Sequence, residues 1–246
     1  MKEFEKSIKR KMTPEKFVEI RDEKYSDDEN FYGLTYGEVS SWLTWNRENG
    51  EIAKLPLPDE FRKGDYWDGP IENWDEEKPQ DISSKLTTDI IFLGLNMSGK
   101  GMMPPGSPSF QNARGVKRIV ETFYNTFAEG GYFTDIIKPD KRFLKMVKKP
   151  ADSREFIRIV KAQPDVLKEH IRLFKEELVF IGADKPLLIV FGGDAEWALL
   201  QETDDNFRKE RFLDIVKIWH YTWRWTSDKK YINDTRSKLA RYITIP

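Results

Sequence analysis

From residue 86 onward, short apolar runs alternate with stretches of helical periodicity. "TDIIFLGL" (88–95), "YFTDIIK" (132–138), "PLLIVFGG" (186–193) and "FLDIVKIW" (212–219) are each brief, strongly apolar and followed by turn-forming or polar residues. That is the pattern of strands buried on both faces, as in a parallel sheet. Between them, Val116, Ile119, Val120, Phe123 and Phe127 fall on one helix face, with Gly130-Gly131 as the stop. Leu167, Ile171, Phe174 and Leu178 line a second helix, which begins at Pro164 and is closed by Gly182. Asp194 is placed to cap a helix over "AEWALL", and a last helix is expected from about Asn233 to Ile243. Strands alternating with helices predict an α/β protein: three layers, α/β/α, with a mainly parallel central sheet.

The first 85 residues lack this rhythm. Thr13-Pro14-Glu15 reads as a helix start, and "LTYGEVSSWLTW" (34–45) as a second helix. Residues 55–81 are rich in Pro, Gly and acidic side chains, as in a loop. Trp42, Trp45, Trp67 and Trp74 are suited to anchoring the segment. The expected organisation is an acidic, partly helical extension over 1–85 packed on an α/β domain over 86–246.

Composition narrows the function classes. With no Cys, disulfides, thiolate catalysis and cysteine-held iron–sulfur clusters are excluded, and with two His a His-rich metal site is disfavoured. No apolar run is long enough to span a bilayer, and the N-terminus has no secretory h-region, so a cytoplasmic protein without a membrane partner is expected. The net charge of −1 hides an asymmetry. Residues 1–85 carry 14 Lys and Arg against 21 Asp and Glu, and the remainder carries 27 against 21. The basic part hints at an anionic partner.

In an open α/β sheet, ligands bind beyond the carboxyl ends of the strands. The first such loop, "GLNMSGKGMMPPGSP" (94–108), superficially fits a nucleotide phosphate loop through Gly94, Gly99 and Lys100. Gly101 stands where Ser or Thr should hold Mg²⁺, Pro104, Pro105 and Pro108 forbid an immediate helix, and no clear Mg²⁺-binding acid follows a second strand. A nucleotide triphosphatase is therefore the weakest of three readings.

The motifs taken together resemble the uracil-DNA glycosylase superfamily over residues 86–246. The first motif is Gly94-Leu95-Asn96-Met97-Ser98-Gly99. A Pro/Gly stretch leads to Phe110, a strand motif follows at Thr134-Asp135, and the second motif begins at His220. The resemblance implies a DNA glycosylase that flips a nucleotide out of the stack and hydrolyses its N-glycosidic bond. Asn96 would position the water and His220 would donate to the leaving base. Phe110 would stack on that base, Asp135 would read its edge, and Gly94, Leu95, Ser98 and Gly99 would shape its pocket. Trp223 and Arg224 lie where the family inserts a wedge, and the basic segment 138–149, with Lys138, Lys141 and Arg142, would contact phosphates. DNA is the implied partner and no cofactor is implied. His170, inside a helix pattern, reads as structural. Met97 replaces the family's usual Pro, and Tyr221-Thr222 replace the Pro-Ser after the second-motif His. A nucleotide- or nucleic-acid-binding protein without cleavage on the same fold thus stays open beside the enzyme.

Overall fold

A computed structural model describes residues 12–43, 47–48, 51–52, 86–96, 116–143 and 153–244. Seven strands are defined: β1 (Ser40–Trp42), β2 (Arg47–Glu48), β3 (Glu51–Ile52), β4 (Thr87–Asn96), β5 (Gly131–Ile137), β6 (Leu187–Phe191) and β7 (Asp214–Ile218). The α-helices are α1 (Pro14–Asp22), α2 (Tyr36–Val39), α3 (Val116–Phe123), α4 (Ser153–Lys161), α5 (Pro164–Phe180), α6 (Gly192–Gln201), α7 (Asp205–Arg211) and α8 (Asp228–Leu239). The protein is mixed α/β, built on a five-stranded sheet of order β1-β5-β4-β6-β7. The four apolar runs form its parallel part, β5-β4-β6-β7, and β1 adds an antiparallel edge on β5. β2 and β3 pair separately as a short hairpin.

Side-chain alternation along β4 divides the core in two. Ile91, Leu93 and Leu95 join one cluster with Leu188 and Val190 of β6, Ile171, Phe174 and Leu178 of α5, and Phe17 and Ile20 of α1. Ile90 and Phe92 join the other with Leu187 and Ile189, Val216 and Ile218 of β7, Ile119 and Phe123 of α3, and Tyr231 and Leu239 of α8. A period of two along each strand places successive apolar residues on opposite faces, so both faces are buried.

Several boundaries differ from the sequence reading. The expected helix over 34–45 is only the single turn α2, opened by a Thr35/Glu38 capping box, after which Ser40–Trp42 run extended along β5. Pairing with β5 decides the matter, because a three-residue edge strand leaves no periodic trace. Trp42 is buried with its ring edge-on to Tyr132 at 4.9 Å. Trp45, Trp67 and Trp74 lie outside the described residues. α3 ends at Phe123, short of Phe127, and Gly131 begins β5 rather than ending a helix. α6 starts directly at Gly192 with Phe191 at its N-cap position, so Asp194 sits in its first turn and does not cap it. α8 begins at Asp228, capped by the Ser227 side chain on the Lys230 amide, five residues before the expected start. α5 matches the expectation, and Gly182, at φ +72°, lets the chain turn left-handed after it.

Candidate functional site

The parallel strands share one carboxyl edge, and the direction of winding reverses between β4 and β6. From β4 the chain goes outward to β5 on one side, then crosses to β6 and β7 on the other. That reversal defines the crevice where open α/β sheets place ligands. Three elements of the sequence-predicted site meet this edge. Gly94, Leu95 and Asn96 end β4, Asp135 lies near the end of β5, and His220 follows β7 by two residues.

Asp135 and Gly94 are register partners on adjacent strands. A Cβ built on Gly94 would lie 2.0 Å from Asp135 Oδ1, so only glycine leaves room for that carboxyl group. Asp135 is buried. Burial pushes its carboxyl up to about 7; Lys138 opposes that shift and Glu177 adds to it. At neutral pH this side chain is divided between an acid that can donate and a carboxylate that can only accept.

His220 is positioned from beneath by aromatic rings. Phe191, the last residue of β6, packs against Phe92 at 5.9 Å and Phe133 at 5.5 Å, and meets the Tyr221 ring edge-on at 5.3 Å. The His220 and Tyr221 rings stack at 4.5 Å. Gly192, at φ +84°, turns the chain into α6, and a Cβ there would come within 3.4 Å of His220 Cβ. Burial alone lowers the imidazole to about 4, so it is neutral at physiological pH. Its Nδ1 lies 3.2 Å from the Thr222 amide nitrogen and 2.8 Å from the Thr222 hydroxyl. An amide N–H can only donate, so Nδ1 is the acceptor and the ring proton resides on Nε2. His220 is thus a neutral N–H donor of fixed tautomer. Burial, then the nearby Asp135 charge, raise the Tyr221 phenol.

The loop after His220 is held by a residue that sequence reasoning missed. Arg118, on α3, donates to the carbonyls of Trp223 (2.6 Å), Thr226 (2.7 Å) and Tyr221 (3.4 Å), and pairs with Asp228 at 2.6 Å. Its partners lie more than a hundred residues away, so no local signal announces it. Arg118→Ala is expected to free this loop. The Trp223 amide, bonded to the His220 carbonyl at 2.9 Å, should then exchange with solvent about tenfold faster or more, the equivalent of about 1.4 kcal/mol of local stability. Hydrogen exchange resolved by residue checks this, and unchanged protection over 220–226 would remove Arg118 from the role. Phe191 and Gly192 were also missed as site residues, although a Gly pair ending a buried strand was a visible hint.

Of the predicted basic contact segment, only residues 138–143 are described, and among them Lys138 and Arg142 are paired with acids. Lys138 is a correction. Its side chain is fully buried against Glu177, with Nζ–Oε2 at 3.1 Å, and cannot face a phosphate. Arg142 is neutralised between Asp140 and Glu169, both at 2.5 Å, while Lys141 lies over the Tyr32 ring. His170 is structural: fully buried, it bonds Asp140 through Nε2 at 3.1 Å and accepts the Lys138 amide at Nδ1. Trp223 and Arg224 are exposed in the His220 loop. Ser98, Gly99, Lys100 and Phe110, and the Asn96 side chain, lie outside the described residues. Among the described residues no group of three or more His, Asp or Glu could hold a metal ion, and no helix is long and apolar enough to cross a membrane.

Two titrations at the site oppose each other. Asp135 keeps, between its ordinary value of 3.8 and about 7, a proton that the unfolded chain releases, so by itself it lowers stability as pH rises through that window. His220 is neutral when folded down to about 4, whereas an open-chain imidazole protonates near 6.5. Its contribution is therefore complete above 6.5 and lost as pH falls toward 4. Asp135→Asn removes the first slope alone. Its urea midpoint should exceed the wild type's at about pH 8, and the advantage should shrink steadily toward about pH 4. An equal offset at every pH would contradict a perturbed carboxyl.

Compared with family models, curated proteins and solved structures, the chain matches none.

Proposed function

We propose that the chain is a DNA glycosylase-like protein, a three-layer α/β/α domain that hydrolyses the N-glycosidic bond of uracil or a related deaminated base. What carries the reading is a neutral, tautomer-fixed His220 and a buried Asp135 at the same carboxyl edge as Asn96, the last residue of β4. Cleaving this bond makes the sugar oxocarbenium-like and sends the base away as an anion. A neutral Nε2–H donates to a developing oxyanion without first being paired to a counter-charge, and one such donor contributes about 2.7–4 kcal/mol to the transition state. Asn96 orients water through its amide oxygen rather than acting as a strong base, which puts more weight on the leaving group. Asp135 reads the base edge: protonated, it offers adjacent O–H and C=O groups that complement an edge with one acceptor and one donor, as in uracil. Trp223 and Arg224 contact the strand beside the extruded nucleotide.

The test is strand breakage by alkali after incubation with oligonucleotides containing uracil, hypoxanthine or xanthine. Product on at least one of them, absent in Asn96→Ala and His220→Ala, is the expected result. No product on any substrate, with oligonucleotide binding retained, would replace the enzyme with a non-cleaving binder on the same fold.

A further inference from the structure

We infer that the exposed indoles of the 219–227 loop form a stacking platform for single-stranded nucleic acid beside the candidate site. Trp225 is 87% exposed, Trp223 44% and Trp219 41%. The Trp219 and Trp223 rings stack on each other at 5.9 Å and 21°, while Trp225 stands apart on the same loop. Large apolar side chains grouped on a surface mark an interaction site. These three are held out by a braced loop: Arg118 ties the Tyr221, Trp223 and Thr226 carbonyls, and the Trp223 amide bonds the His220 carbonyl. The platform is preorganised, so little ordering cost falls on binding.

The surrounding charge selects the partner. From 219 to 238 there are five basic side chains, Arg224, Lys229, Lys230, Arg236 and Lys238, against two acidic ones. Asp228 is engaged with Arg118 at 2.6 Å, and Asp234 with Lys238, itself one of the five, at 3.1 Å, so cations still exceed acids. Lys238 Nζ also lies 5.7 Å from the Trp219 ring centre, and Lys229 and Lys230 line a surface hollow with Ser227, Asn233 and Asp234. Aromatic faces interleaved with cations suit a polyanion that has its own π faces. A duplex hides those faces in its stack, whereas a single strand presents them. The inference rests on the nucleic-acid reading above, but not on cleavage.

The test uses the full-length protein and a labelled oligothymidine of about twenty nucleotides, longer than the ~4–16 covered by one oligonucleotide-binding barrel, with no deaminated base in it. Anisotropy titration should show it binding at least about tenfold more tightly than the matching blunt duplex, with an affinity that falls steeply as salt rises. Trp225→Ala should weaken binding about tenfold, the size of one lost base stack of roughly 1–3 kcal/mol. Trp225→Phe should keep most of it, and unchanged thermal melts would show that both variants fold. An oligouridine of equal length, bound comparably, would assign the contact to bases rather than sugars; a strong preference for either sugar would count against stacking. Equal affinity for duplex and single strand, or full binding by Trp225→Ala, would overturn the inference. Because the probe holds no cleavable base, a negative glycosylase assay leaves this result standing, and a cutting enzyme that grips duplex equally well refutes only this.

Discussion

Replacing Lys138 with methionine is expected to cost about 3–5 kcal/mol of folding stability, the usual penalty for stripping one partner from a buried ion pair. Lys138 lies just beyond β5, its side chain shielded from water. Its ammonium meets Glu177 of α5 through both carboxylate oxygens, at 3.1 and 3.2 Å, and donates to the Val39 carbonyl at 3.2 Å and to the Thr134 hydroxyl. The Tyr25 ring lies 5.3 Å away. Glu177 in turn accepts from the Tyr132 hydroxyl at 2.7 Å and the Thr134 hydroxyl at 2.8 Å. One cation therefore ties the sheet, α5 and the segment that carries β1, and its loss would leave Glu177 with a buried, uncompensated charge. Glu177→Gln keeps an oxygen for Tyr132 and Thr134, so the double variant Lys138→Met/Glu177→Gln should recover most of the loss. Urea unfolding of all four members of the cycle checks this. Additive single effects would mean that the pair is not coupled.

The positions most legible in the sequence were those whose signal is local. The four apolar runs became four parallel strands because each is short and strongly apolar, and α5 followed from its stripe, Pro164 and Gly182. β1 was hidden because three residues after a capped turn have no period, and only β5 makes them a strand. α7 went unread because its seven residues bury no side chain. Lys138 shows the same limit for chemistry. In the sequence it opens a basic run, and nothing nearby reveals a carboxylate waiting 39 positions on. Asn96, Asp135 and His220 were legible as candidates because strand ends are where α/β sheets expose chemistry. Their electrostatic states were not: the neutral imidazole depends on burial against rings such as Phe191 of β6, and the raised carboxyl on burial beside a glycine of the neighbouring strand.

His220→Ala is expected to lower kcat for base release by about 10²–10³-fold with little change in KM, because the lost donor acts on charge that develops only in the transition state. The sharper prediction concerns pH. With its imidazole held at about 4 by burial, His220 stays neutral through the range where an ordinary histidine titrates, so it should leave no inflexion near 6.5 in the rate profile. An inflexion near 7 is expected instead from Asp135, and it should vanish in Asp135→Asn. The double comparison separates the two groups. If the Asp135→Asn profile still bends near 6.5, and the bend disappears only when His220 is also replaced, the donor is an imidazolium. The burial argument would then fail. Thr222→Val gives a further check, since removing the hydroxyl that sits 2.8 Å from Nδ1 leaves the amide donor in place. Its rate should fall far less than that of His220→Ala, because the backbone N–H alone is enough to keep the proton on Nε2.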